Sequence, residues 1–128
     1  MPWTMPTSLA ENGTRWCVLR SANLVISPAE RRVLADGRPV AITIREFETL
    51  LALAGRRNRV VPRADLYALV WGGPMRNRDR SVDVFVRRVR KKLHDASPGW
   101  TYIHTHFGIG YRFAPERIPS PGERIPPP

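Results

Sequence analysis

Fourteen consecutive residues, RSVDVFVRRVRKKL from Arg80 to Leu93, concentrate the chemistry of this chain. Of its 21 Lys and Arg residues, eight fall between positions 76 and 92, against two acids there, Asp79 and Asp83. Wound as a helix, Val82, Val86, Val89 and Leu93 occupy a sector about 60° wide, a stripe that must pack on other elements. Opposite lie Arg80, Val84, Arg87, Arg88 and Lys91, four of them cationic. A helix face that merely meets water usually mixes both signs. A purely cationic one suits a polyanion, through neutralised phosphates and released counterions. Arg87 and Arg88 each carry a planar fork that fits guanine O6 and N7, and Val84 offers apolar surface to a thymine methyl. Arg80, Arg90 and Lys91, nearer the edges of the face, suit phosphates, which orient a helix without carrying sequence information; Ser81, at its start, belongs to the same set. The competing reading is a solvated face with Asp83 paired to Arg87 one turn on. An anionic membrane is the other available polyanion, but this stripe is needed by a core and carries no Trp or Phe.

Such a helix needs a folded unit to hold it, and 128 residues suffice for one domain with one core. The formal charge of +10 and isoelectric point near 11.3 speak of partners, not of fold. Eight of the 13 prolines lie outside residues 15–113, so 1–14 and the Pro-rich 114–128 are expected as disordered tails around a domain at 15–113. The single cysteine, Cys17, sits in an apolar run with Trp16, Val18 and Leu19 and reads as buried strand; a reducing, cytoplasmic compartment is the default. No stretch approaches the roughly 20 apolar residues that cross a bilayer.

Inside that domain, WCVLR, Leu24–Ile26, Arg32–Leu34 and Val40–Ile42 read as short antiparallel strands, with Asp36-Gly37 a strong hairpin turn pair. Thr43 and Glu46 form a capping-box pair ahead of a first helix through Phe47, Leu50, Leu51 and Leu53. A second helix is expected from Pro62, with Leu66, Leu69 and Val70 as its apolar set, ending at Trp71-Gly72-Gly73-Pro74. The third follows the loop Gly72–Asp79 and runs from Arg80 to about His94, and TYIHTHFGIGYRF reads as a β-hairpin around Phe107–Gly110. This order predicts an α+β winged helix-turn-helix: an N-terminal antiparallel sheet, three helices and a C-terminal hairpin wing. His94, His104 and His106 have no Cys or carboxylate cluster beside them, so no metal or other cofactor is expected. No nucleophile–base pattern suggests an enzyme.

Residues 43–113 resemble the DNA-binding effector domain of OmpR/PhoB-type response regulators. The likeness is carried by TIREFETLLAL, RVVPRADLYALVW, RSVDVFVRRVRKKL and YIHTHFGIGYRF, with NLVISPAERRVLADGRPVAIT similar to the family's leading sheet. It implies a bacterial, cytoplasmic, nucleoid-associated transcription regulator that binds double-stranded DNA, usually as a head-to-tail homodimer on tandem half-sites. The loop between the second and third helices would then face RNA polymerase; here it includes Trp71, Gly72, Met75, Arg76, Arg78 and Asp79. Core packing is the plainer role for Trp71. Thr105 matches a wing position that contacts the DNA backbone, and His106 lies near enough to the tip to join it. Two departures stand out. Phe107 occupies a place where the family usually has a minor-groove Arg, and Phe85 one where it often has a phosphate-contacting His; a Phe reads no acceptors, though it can pack on sugars or wedge at a base step. The receiver domain that ordinarily precedes such a domain has no counterpart in this sequence, and Met1 with the two unusual tails favours a free-standing regulator over a fragment. The alternatives are an architectural, nucleoid-associated DNA-binding protein of low specificity and an adaptor that offers its Pro-rich tail to a partner's groove.

Overall fold

The computed structural model describes residues 18–118; Trp16, Cys17, the segment 1–14 and residues 119–128 lie outside them. The chain begins with four short antiparallel strands in sequential order, β1 (Leu19–Ser21), β2 (Leu24–Ser27), β3 (Arg32–Ala35) and β4 (Arg38–Pro39). Asp36 and Gly37 both take positive φ, 53° and 75°, as the tight hairpin turn between β3 and β4 requires. β4 stops short of the expected strand at Val40–Ile42. Val40 keeps one backbone bond, donating to the Val33 carbonyl at 2.9 Å, and buries its side chain, after which the chain leaves the sheet for the next helix.

That helix, α1 (Ile44–Ala54), starts on the expected capping box: the Thr43 hydroxyl accepts from the Glu46 amide at 3.3 Å and the Glu46 carboxylate accepts from the Thr43 amide at 2.9 Å. Glu46 is also buried and accepts from Lys92 Nζ at 2.5 Å, tying α1 to the third helix. Burial by itself would raise the Glu46 carboxyl; the hydrogen bonds from Lys92 and Thr43 outweigh it and hold the group below its ordinary value.

A strand that periodicity did not announce follows, β5 (Val60–Pro62). Pro62 is its last residue and the N-cap of α2 (Arg63–Val70), with φ −60° and ψ 149°, so it precedes the helix instead of opening it. Its ring-fixed φ suits strand and cap alike. Helix α2 buries Leu66 and Val70; Leu69, expected inside, is 48% exposed.

The third helix, α3 (Ser81–Ala96), leads into β6 (Trp100–His106) and β7 (Gly110–Arg117), an antiparallel hairpin whose β7 is flanked by β5 in a three-stranded sheet. β7 runs through Ala114–Arg117, past the expected domain boundary at 113. Gly110 sits where that sheet is tightest: a Cβ there would lie 2.0 Å from the Val61 carbonyl oxygen. Close approach, not positive φ, explains this glycine; Gly108, at φ 79°, is the one the turn needs.

One core joins these layers, with Leu24, Ile26 and Val33 from the first sheet, Phe47, Leu50 and Leu53 from α1, and Ile103 and Phe113 from the hairpin. A polar relay fastens the first sheet to the far end of α3. Tyr102 donates to the Asn23 side-chain carbonyl at 2.5 Å, the Asn23 amide donates to the buried Ser97 hydroxyl at 2.7 Å, and Ser97 donates to the Asp36 carboxylate at 2.7 Å. The bonds from Asn23 and Ser97 hold the Asp36 carboxyl below its ordinary value. Among the described residues no helix is long and apolar enough to cross a membrane.

Glu46→Gln keeps shape but removes the charge that serves both Thr43 and Lys92. It is expected to lower stability by about 1–2 kcal/mol, the small end for a charged hydrogen bond because Lys92 retains some access to water. The folded-state carboxyl lies below its unfolded value, so its contribution is present above the unfolded carboxylate range and lost as pH falls through the folded value. Urea midpoints at neutral and acid pH should therefore differ less in Glu46→Gln than in the parent; an unchanged difference would assign the acid sensitivity elsewhere.

Candidate nucleic-acid interface

Helix α3 has the two faces its spacing predicts. Val82, Val86, Val89 and Leu93 are each no more than 1% exposed, while Arg87, Arg88 and Lys91 lie on the outside. Arg80 is not within the helix but is its N-cap, and its side chain makes no capping bond. Asp79 supplies one in its place, accepting from the Ser81 amide at 2.8 Å; the Ser81 hydroxyl and amide together hold its carboxyl below the ordinary value. A carboxylate at a helix start is also favourable to the dipole.

The solvated alternative offered Arg87 as a partner for Asp83, and Asp83 is occupied otherwise. It accepts from Arg63 Nε at 2.9 Å and from the Tyr111 hydroxyl, joining the first turn of α3 to the starts of α2 and β7. Burial, then the Asp83 carboxylate, push the Tyr111 phenol above its ordinary value, so it remains a donor. Among the described residues no acid pairs with Arg87 or Arg88, whereas Lys91 reaches Asp95 at 3.1 Å between two well-exposed side chains, a contact that is cheap to exchange.

Phe85 and Trp71 belong together. Their rings meet edge to face at 5.4 Å, Tyr67 stacks on Trp71 at 5.2 Å, and the row is closed by cations, with Arg45 5.4 Å from the Trp71 ring and Arg88 4.9 Å from Phe85. Arg45 also donates to the Val70 carbonyl at 2.6 Å. Phe85 thus touches the exposed face through Arg88, whose guanidinium it underlies. The loop between α2 and α3 divides in the same way: Trp71 and Met75 pack against the core, Asp79 caps α3, and Gly72, Arg76 and Arg78 are exposed. Positive φ at Gly72, Gly73 and Arg78 shapes its bends.

On the wing, Arg90 reaches across from α3 and donates to Thr105 Oγ1 at 2.9 Å, with its guanidinium 5.9 Å from the Tyr111 ring. His106 Nε2 accepts from Arg112 Nε at 3.1 Å, and Val84, on α3, is half-buried. Phe107, at the tip, is 91% exposed. Arg63, Arg112 and Tyr111 were not among the residues singled out from sequence, and no local spacing marks them: the β5–β7 pairing, which places Val61 opposite Tyr111 and Val60 opposite Arg112, joins segments about 50 positions apart.

The profile of the family described as transcriptional regulatory protein, C terminal, matches residues 37–113. This chain belongs to the OmpR/PhoB-type effector-domain family. Similar proteins include the transcriptional regulatory proteins YclJ of Bacillus subtilis, 38% identical over 89 residues, and SrrA of Staphylococcus aureus, 37% identical over 97. The matched parts are 69% and 75% of this chain but 38% and 40% of those proteins, so the chain aligns with about two fifths of its relatives' length. Among solved structures, the RstA DNA-binding domain of Klebsiella pneumoniae in complex with the RstA box superposes with a TM-score of 0.70 at 34% identity, covering 77% of this chain and 97% of that one. The CpxR DNA-binding domain of E. coli gives 0.69 at 30% identity, covering 76% and 95%. The effector-domain fold is therefore shared across nearly the whole of those domains.

Within this effector domain, Trp71→Ala should cost about 2–3 kcal/mol, less than a fully buried Trp because the ring is only partly covered. Thermal unfolding measures it. A shift indistinguishable from zero would mean that the aromatic row does not support α3.

Proposed function

We propose that this effector domain binds specific sites on double-stranded DNA and regulates transcription. Helix α3 lies in the major groove, and the wing rests on the adjacent backbone or minor groove. The observation that carries this reading is the outward face of α3, where Arg87 and Arg88 stand exposed with no acid paired to them among the described residues, on a helix whose opposite stripe is buried to within 1%. Arg87 and Arg88 serve base edges, with Val84 beside them; Arg80, Ser81, Lys91 and the wing residues Thr105 and His106 serve the backbone. Arg90 acts partly through Thr105, which it holds. The exposed loop residues Gly72, Arg76 and Arg78 form the part offered to RNA polymerase, and two copies sit head to tail on tandem half-sites.

Selection from random duplexes at physiological salt, followed by sequencing, tests this directly. A repeated half-site is the expected result. Uniform enrichment would instead favour architectural binding of low specificity, and no retention would overturn DNA binding altogether. At residue level, Arg88→Ala should relax the selected sequence and weaken binding by roughly 1–3 kcal/mol, whereas Lys91→Ala should weaken all duplexes alike and reduce the salt slope by about one. An unchanged preferred site in Arg88→Ala would remove that residue from the base-reading set.

A further inference from the structure

The tip of the wing presents apolar surface where the rest of the exposed interface is cationic or polar. Phe107 is 91% exposed and Ile109 55% exposed, two large side chains on a three-residue turn. The turn is held firmly. Ile109 donates to the His106 carbonyl at 2.9 Å, His106 faces Gly110 in the ladder immediately behind, Gly110 faces Pro62 on β5, and the Arg63 amide donates to the Ile109 carbonyl at 3.2 Å. Phe107 therefore sits on a braced prong well clear of the core, not on a loose loop that folds back over it. Behind the prong lies a polar collar, in which Arg112 is bonded to the neutral acceptor His106 Nε2 and Arg63, at the start of α2, is paired with Asp83 of α3.

A prong with an apolar point and the Arg112 cation behind it is complementary to a minor groove, whose two walls are phosphates and whose floor is stacked bases. We propose that Phe107 is a minor-groove wedge, inserted at one base step beside the site held by α3, with Ile109 against the neighbouring sugar and the duplex kinked there toward the major groove. The proposal rests on α3 being the major-groove helix. Apolar side chains that enter the minor groove unstack a step and bend the helix in this direction. Pyrimidine–purine steps unstack most readily, so the wedge selects TA or CA/TG at a flanking position that no hydrogen bond reads. Its contribution is to specificity by deformation, distinct from the hydrogen-bond readout of Arg87 and Arg88.

The test uses the duplex recovered by selection, carrying 2-aminopurine at each flanking purine in turn and a donor–acceptor dye pair on its ends. Bound parent protein should brighten a single flanking step severalfold and bring the ends closer. Phe107→Ala, a change at a fully exposed position outside the core, should abolish both signals while leaving major-groove protection over the half-site intact. Its affinity should fall by about tenfold or less, because the stacking lost is partly offset by the step no longer unstacked. Phe107→Leu should retain the bend, and Phe107→Arg should lose it and move the flank toward A·T tracts with a narrow groove. Parent protein that protects the half-site but brightens no flanking step, or a signal that survives Phe107→Ala, would overturn the wedge and leave DNA binding standing. The wedge is equally overturned if Phe107→Ala leaves the duplex signals as they were but converts paired copies to single ones, which would give the tip to a protein contact. Failure of the parent to bind any duplex overturns the underlying reading instead.

Discussion

Every layer of this domain depends on the apolar stripe of α3. Val82, Val86, Val89 and Leu93 are packed between α1, α2 and the hairpin, and all four are essentially closed to solvent. Burying side chains of this size is worth about 1.5–3 kcal/mol each, so the stripe as a whole is comparable with the 5–15 kcal/mol that stabilises an ordinary domain. Rotating α3 enough to change what it presents outward would expose that stripe, at a cost close to unfolding. The positions of Arg87, Arg88 and Lys91 are consequently set by the core, even though none of them is in it.

Three of the acids near α3 complete the arrangement by being used elsewhere. Asp79 caps the helix start, Asp83 binds Arg63 and Tyr111, and Glu46 takes Lys92 from the inner edge. These three carboxylates satisfy structural partners and leave Arg87 and Arg88 unneutralised, while Asp95 makes an exposed contact with Lys91 that is cheap to exchange. The same side chains that stiffen the scaffold thus leave the outward face with its surplus of positive charge. The aromatic row works similarly at longer range: Phe85 supports the Arg88 guanidinium and is itself supported by Trp71, Tyr67 and the Arg45 guanidinium.

Much of this was legible in the sequence because it obeys local rules. The capping box at Thr43, the two faces of α3, the positive-φ pair at Asp36-Gly37 and the hairpin around Gly108 each depend on residues a few positions apart. What escaped depends on distant partners. β5 is three residues long and exists because β7 pairs with it; Val60 and Val61 alone carry no alternation. Leu69 satisfies helical periodicity but faces outward, since a helix of eight residues packed along one side buries only Leu66 and Val70. Phe85 read as a substituted backbone contact because sequence spacing does not reveal Trp71 beside it. Asp83 offered Arg87 by spacing and chose Arg63 by geometry, 20 positions away. Ser97 carries no local signal of its own and proves to be the buried centre of a relay between two sheets.

That relay has a mechanical meaning. With Ser97 pinned to Asn23 and Asp36 at one end, and Asp83 clamped to Arg63 and Tyr111 at the other, α3 is a beam fixed at both supports. A beam so held resists bending to follow its partner. When this surface meets a duplex, compliance has to come from the duplex, and sequences then compete by how cheaply they conform as well as by the edges they present.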